Sequence, residues 1–158
     1  LRTEPIRGNV ETRMGKVDAG LFDATLLAEA GLTRLDMKDV TRYPISEEII
    51  VPAPGQAAIA VQTRDEDGEL QTLLQQIHDA KTEREVTIER SLLKRLGGGC
   101  ALPLGCVCHI EGETAELRVF YANASGTEHY LATHRTPLSE IDTLLSQLIE
   151  HLQHITTA

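Results

Sequence analysis

The chain has 158 residues, 41% hydrophobic and 25% charged, which is the balance expected of a globular protein with one domain or two small ones. Its net charge of −9 argues against a nucleic-acid binder, which would present a basic face. No apolar run is long enough for a membrane span, and no charged-then-apolar leader opens the chain. Cys100, Cys106 and Cys108 are the three cysteines. An odd count without a leader fits free thiols in a reducing compartment, so a cytoplasmic location is expected. The sequence starts at Leu1 in mid-pattern, and we expect it to be a piece of a longer protein.

In chain order, residues 6–10 read as a strand-to-helix junction, and a helix is predicted from Val10 to about Ala19 with Gly20 as its stop. Residues 22–28 form a short apolar run that reads as a buried strand. Gly31 opens a turn or short helix carrying Arg34. Strand, helix and buried strand in this order suggest a parallel α/β unit. The stretch 46–64 is punctuated by Pro52, Pro54 and Gly55. It reads as a connection between domains, with a strand resuming over 57–63. Leu70, Leu73, Leu74 and Ile77 have helical spacing. Thr82 and Glu85 suggest a capping box for the next helix, which runs to about Leu96 and ends in three glycines, Gly97 to Gly99. Strands are predicted over 105–111, 115–122 and 129–135, with Gly112 and Gly126 in the turns. Pro137 and Ser139 start a last helix, whose apolar stripe runs from Leu138 and Ile141 to Ile149 and Leu152. Helices against a short antiparallel sheet make a small α+β domain.

Chemistry concentrates in few places. Cys100 follows the three glycines, where a thiolate can be reached from outside. The preceding helix C-terminus disfavours that thiolate, and Lys94 and Arg95 offset it. On these residues alone a buried, inert Cys100 is as good a reading as a nucleophile. Cys106 and Cys108 alternate on one face of a strand and read as core. A metal site gathering Cys100, Cys106, Cys108 and His109 is a further possibility, although C-x-C is unlike common structural zinc spacings. His129, His134, His151 and His154 read as solvated. From Leu1 to Arg34 five basic residues balance five acidic ones. The whole negative excess therefore lies downstream, and a basic pocket for a small anion is compatible with an acidic chain. Arg7, Arg13 and Arg34 suit such a pocket, since arginine binds carboxylates with paired, charge-assisted hydrogen bonds.

Four motifs in order carry a resemblance to one family. They are Arg7-Gly8-Asn9-Val10-Glu11-Thr12-Arg13, Ala30-Gly31-Leu32-Thr33-Arg34-Leu35, Pro52-Ala53-Pro54-Gly55-Gln56-Ala57, and Leu96-Gly97-Gly98-Gly99-Cys100-Ala101-Leu102-Pro103-Leu104-Gly105. They resemble the R-G-N-x-x-T-R, A-G-L-x-R-L, P-A-x-G-Q-G and L-x-G-G-C-x-x-P-[IL]-G segments of the porphobilinogen deaminases (hydroxymethylbilane synthases). Ala57 stands where that family usually has glycine, and Gln62 where it often has glutamate. Thr87-Ile88-Glu89-Arg90 matches a further family segment, with Glu89 and Arg90 read as a structural pair.

The resemblance implies a fold in pieces: residues 1–45 as part of a periplasmic-binding-protein-like α/β domain, 46–67 as hinge and returning strands, and 68–158 as the C-terminal α+β domain with a three-stranded antiparallel sheet. It implies a covalent dipyrromethane on Cys100 through a thioether, held by Arg7, Gly8 and Arg13. Substrate carboxylates would fall to Arg13 and Arg34, with Gln56 facing the cleft. The implied reaction condenses four porphobilinogens into hydroxymethylbilane, releasing ammonia, in tetrapyrrole and haem biosynthesis. The family's catalytic aspartate belongs to an N-terminal part that these motifs do not cover, so no residue here takes that role. The fragment alone is expected to be inactive. Its partners would be the small-molecule substrate and the N-terminal half of the same protein, with a monomer as the assembly. No metal, nucleic acid or membrane is implied. The competing reading is a non-catalytic α/β module that binds a small carboxylate and leaves Cys100 free.

Overall fold

A computed structural model describes residues 1–99 and 102–156. The chain divides into two compact units, Leu1–Ile45 and Ser46–Ala158. No helix among the described residues is long and apolar enough to cross a membrane.

The first unit holds two short helices, α1 (Val10–Asp18) and α2 (Glu29–Arg34). The Asn9 side chain caps α1 by accepting the Thr12 amide at 2.8 Å. Gly20 ends it, as the sequence predicts. Gly31 lets the helices meet: a Cβ there would touch Val10 Cγ2 at 3.4 Å. Residues 22–28 do not form a strand. A strand needs a second backbone to pair with, and no described segment forms a ladder with it. Leu21 and Leu26 are accordingly exposed.

The second unit begins with an irregular stretch, and residues 57–63, predicted as a strand, are likewise unpaired. Helix α3 (Gly68–Leu74) runs into a 3₁₀ turn, Gln75–Ile77, and α4 covers Ala80–Arg95. Asp79 caps α4 by accepting the Thr82 amide at 2.9 Å; the predicted Thr82/Glu85 box does not form. The hydrogen bond donated by the Thr82 backbone N–H holds the Asp79 carboxyl below its usual range. Strands β1 (Leu104–Glu111), β2 (Thr114–Ala122) and β3 (His129–Pro137) make an antiparallel sheet in the order β1-β2-β3. A 3₁₀ turn, Leu138–Glu140, leads into α5 (Ile141–Thr156).

Strand alternation decides what is inside. Register pairs Cys106 with Val119, Cys108 with Leu117 and Ile110 with Ala115, and these six side chains share one face. That face packs against Ile88 and Leu92 of α4 and Leu145, Leu148 and Leu152 of α5, forming the core. Arg95 and Asp142 pair at the α4–α5 junction. Of the histidines of β3 and α5, His129, His151 and His154 are exposed as predicted and only His134 is partly buried. His134 Nε2 shares a 2.6 Å hydrogen bond with Tyr130 Oη, His151 tilts against the Tyr130 ring, and His129 stacks on Phe120. Partial burial lowers the His134 pKa.

The open edge of β1 is closed without another strand. After Leu104, whose amide bonds Leu102 O at 2.8 Å, its outward amides are those of Cys106, Cys108 and Ile110. Cys106 N donates to Pro52 O at 2.8 Å, Cys108 N to Glu89 Oε1 at 2.9 Å, and Ile110 N to Glu85 Oε1 at 2.7 Å. Four residues of helix advance about 6 Å and two of strand about 6.8 Å. Carboxylates one turn apart on α4 therefore match successive edge amides. This is where Glu85 is used, instead of in a cap.

Candidate functional site

The Arg7–Arg13 motif builds a helix start. Gly8 has φ +125°, and a Cβ there would lie 2.6 Å from Thr12 Cγ2, so both backbone and space require glycine. Lys16 Nζ donates to the Arg7 carbonyl at 2.9 Å, tying the approach segment to the helix it precedes. Arg7 is exposed; Arg13 is half-buried on α1. Arg13 Nε and Thr25 Oγ1 are buried polar atoms with no hydrogen-bond partner among the described residues. Arg34, the last residue of α2, is exposed. None of Arg7, Arg13 and Arg34 pairs with a carboxylate among the described residues. Val10 and Gly31, where the helices meet, each precede an arginine by three residues. Arg13 and Arg34 thus lie one turn beyond the contact on the same helix faces. Thr25 was not singled out by the sequence, because a threonine in an apolar run reads as strand filler.

Cys100, expected to carry the cofactor, and Ala101 lie outside the described residues, so the structure is described only up to their flanks. On the N-terminal side α4 closes with Gly97 at φ +72°, its amide on Lys94 O at 3.1 Å and that of Gly98 on Leu93 O at 3.2 Å. This pair of bonds satisfies the last carbonyls and turns the chain sharply off the helix. Arg90 and Lys94, one turn apart on α4, line an open groove of about 580 Å³ with Thr87, Ser91, Gly97 and Gly98. Arg90 was read as half of a structural pair. It is exposed and has no carboxylate partner among the described residues.

Glu89 is the residue whose role the structure changes most. It is 6% exposed, and its carboxylate spans two distant backbone groups: Oε2 accepts Gly55 N at 2.6 Å, while Oε1 accepts Cys108 N. Burial pushes its pKa up, against the pull of those two amides. Gly55 itself has φ +74° and starts the turn that presents Gln56, whose side chain is exposed. Gln56 N donates to Ala53 O at 3.0 Å. Ala57 adopts φ +68°, a left-handed conformation natural to the glycine expected at that position.

The other thiols are unsuited to chemistry. Cys106 and Cys108 are buried. Burial, with Glu89 nearby, pushes the Cys108 thiol up to about 12 and Cys106 higher still. His109 stands on the opposite face of β1, hydrogen-bonded to Glu47, and that bond raises its pKa. It is turned away from the two thiols and cannot join them around one ion.

Two models of known protein families match the chain. Residues 1–72 match the model for porphobilinogen deaminase, dipyromethane cofactor binding domain. Residues 83–141 match the model for porphobilinogen deaminase, C-terminal domain. The stretch with the capped helix α1 and the small α+β domain thus correspond to successive modules of a transferase of tetrapyrrole synthesis. The chain belongs to the porphobilinogen deaminase family.

Proposed function

We propose that the chain is the cofactor-bearing part of a hydroxymethylbilane synthase, which condenses four porphobilinogens into hydroxymethylbilane with release of ammonia. What supports this reading is the match of residues 1–72 and 83–141 to the two porphobilinogen deaminase models, together with Arg7, Arg13 and Arg34, which pair with no carboxylate among the described residues. Each pyrrole of the substrate carries an acetate and a propionate, so an oligopyrrole is a dense polycarboxylate. The donor set of the first unit fits it: Arg7 and Arg13 around the Gly8 turn for the dipyrromethane, and Arg13 and Arg34 for the substrate; Gln56 is proposed, from its motif, as a further substrate contact.

Cys100 would hold the dipyrromethane through a thioether. When bound, that group supplies the free pyrrole position at which chain growth begins. Cys106 and Cys108, buried and with raised pKa values, cannot compete for the attachment. Loss of ammonia needs an acid–base carboxylate that we assign to no residue here, so the 158-residue chain alone is expected to be inactive. The working protein would be a cytoplasmic monomer completed by its N-terminal half.

Intact-mass measurement of the full-length protein tests this. The expected result is an adduct of dipyrromethane mass, lost on Cys100→Ser, together with a positive pyrrole-specific colour reaction. A protein of bare polypeptide mass with a freely alkylated Cys100 would instead establish a carboxylate-binding module without the enzyme's cofactor.

A further inference from the structure

We propose that Glu89 is a positioning residue, fixing the Gly55–Gln56 turn to the helix and strand that flank the cofactor attachment segment. This rests on the reading of Gln56 as a residue of the substrate cleft. Three independent contacts hold the turn. The Glu89 carboxylate bridges Gly55 N and Cys108 N. The Pro52 carbonyl accepts Cys106 N at 2.8 Å. Gly105 lies so close to Val51 that a Cβ would sit 2.6 Å from its carbonyl oxygen. A Cβ on Gly55 would reach Val86 of α4 at 3.6 Å, so the turn is also seated against that helix.

The consequence concerns motion. Helix α4 runs directly into the glycines before Cys100, and β1 begins at Leu104 just after it. Glu89 lies on the first and bonds the second. Gln56 is thereby locked to both flanks of the attachment segment, across 34 residues of sequence in one bond and 19 in the other. The Pro52–Gln56 turn therefore moves as one body with α4 and β1, and Gln56 keeps its place relative to both flanks. Glutamate is needed because both bonded groups are donors. Glutamine offers one acceptor oxygen and would turn its NH₂ towards the second amide.

The test uses the full-length enzyme carrying Glu89→Gln, Gln56→Ala and both. Cofactor loading by intact mass is measured first. It reports on the assignment of Cys100 and is independent of the positioning claim. The expected result for the loaded Glu89→Gln enzyme is a fall in kcat of about 10-fold or more with KM nearly unchanged, as for a small misplacement of a contacting group. In the Gln56→Ala background the same substitution should have less than about a 2-fold effect, because Glu89 acts through Gln56. Additive losses, or a lowered Tm with kcat intact, would overturn the proposal. Should Glu89→Gln fail to fold, amide exchange in the wild-type enzyme decides. Gly55 and Cys108 amides that open together support the lock, and a Gly55 amide exchanging freely as an independent loop refutes it.

Discussion

Replacing Gly105 by alanine measures how tightly the stretch before the turn is seated on the C-terminal sheet. The new Cβ would lie 2.6 Å from Val51 O and 2.9 Å from Val51 Cβ. The obstacle is backbone, so no side-chain rotation relieves it. Gly105 is fixed by its register opposite Phe120, and ordinary contact, near 3.4 Å, requires Val51 to retreat by about 0.8 Å. The adjoining bond from Cys106 N to Pro52 O would be stretched with it. Overpacking of this kind costs about 1–3 kcal/mol, and the weakened hydrogen bond up to about 1 kcal/mol. Alanine's smaller loss of backbone freedom returns about 0.5–1 kcal/mol. The net expectation is a destabilisation of about 1–3 kcal/mol. For a chain of this size that is a fall in Tm of roughly 3–10 °C. Thermal and urea unfolding check it, with Gly68→Ala as control, since a Cβ there meets nothing within 4 Å. Equal midpoints for Gly105→Ala and the unsubstituted protein would show that Val51 is not seated on β1, and the reasoning would fail.

Ala57→Gly should stabilise the protein by up to about 1 kcal/mol, because the left-handed strain relieved slightly exceeds the added freedom of the unfolded chain; a rise in Tm of a few degrees checks it. Cys106 and Cys108 should resist alkylation at pH 8 in the native protein and react at once in denaturant, read by peptide mass mapping; rapid native labelling of either contradicts their burial. The Glu47–His109 pair raises the His109 pKa, so its stabilisation is full below about pH 6.5 and is lost as pH rises through the folded value. The pair is half-exposed and contributes less than about 1 kcal/mol. Glu47→Gln should reduce stability at pH 5.5 and leave it unchanged at pH 8.5, as chemical denaturation at the two pH values will show.

What the sequence determined by itself is local and periodic. The strands β1 to β3 and the helices α4 and α5 were legible because two-residue and 3.6-residue repeats are written in near neighbours, and Gly97, Gly112 and Gly126 mark ends among them, as Gly20 does for α1. The arginine motif was legible too, since Gly8, Asn9 and Thr12 make its helix start among themselves. Tertiary structure decided the rest. Residues 22–28 and 57–63 have strand composition, but a strand exists only with a partner backbone, and none forms a ladder with them among the described residues. Glu85 looked like part of a helix cap and Glu89 like half of a structural pair with Arg90. Both are instead claimed by the unpaired edge of β1, and Glu89 by the Gly55 amide as well. Nothing near them in the sequence signals this, because a buried carboxylate is specified by whichever distant backbone donors the fold leaves without partners.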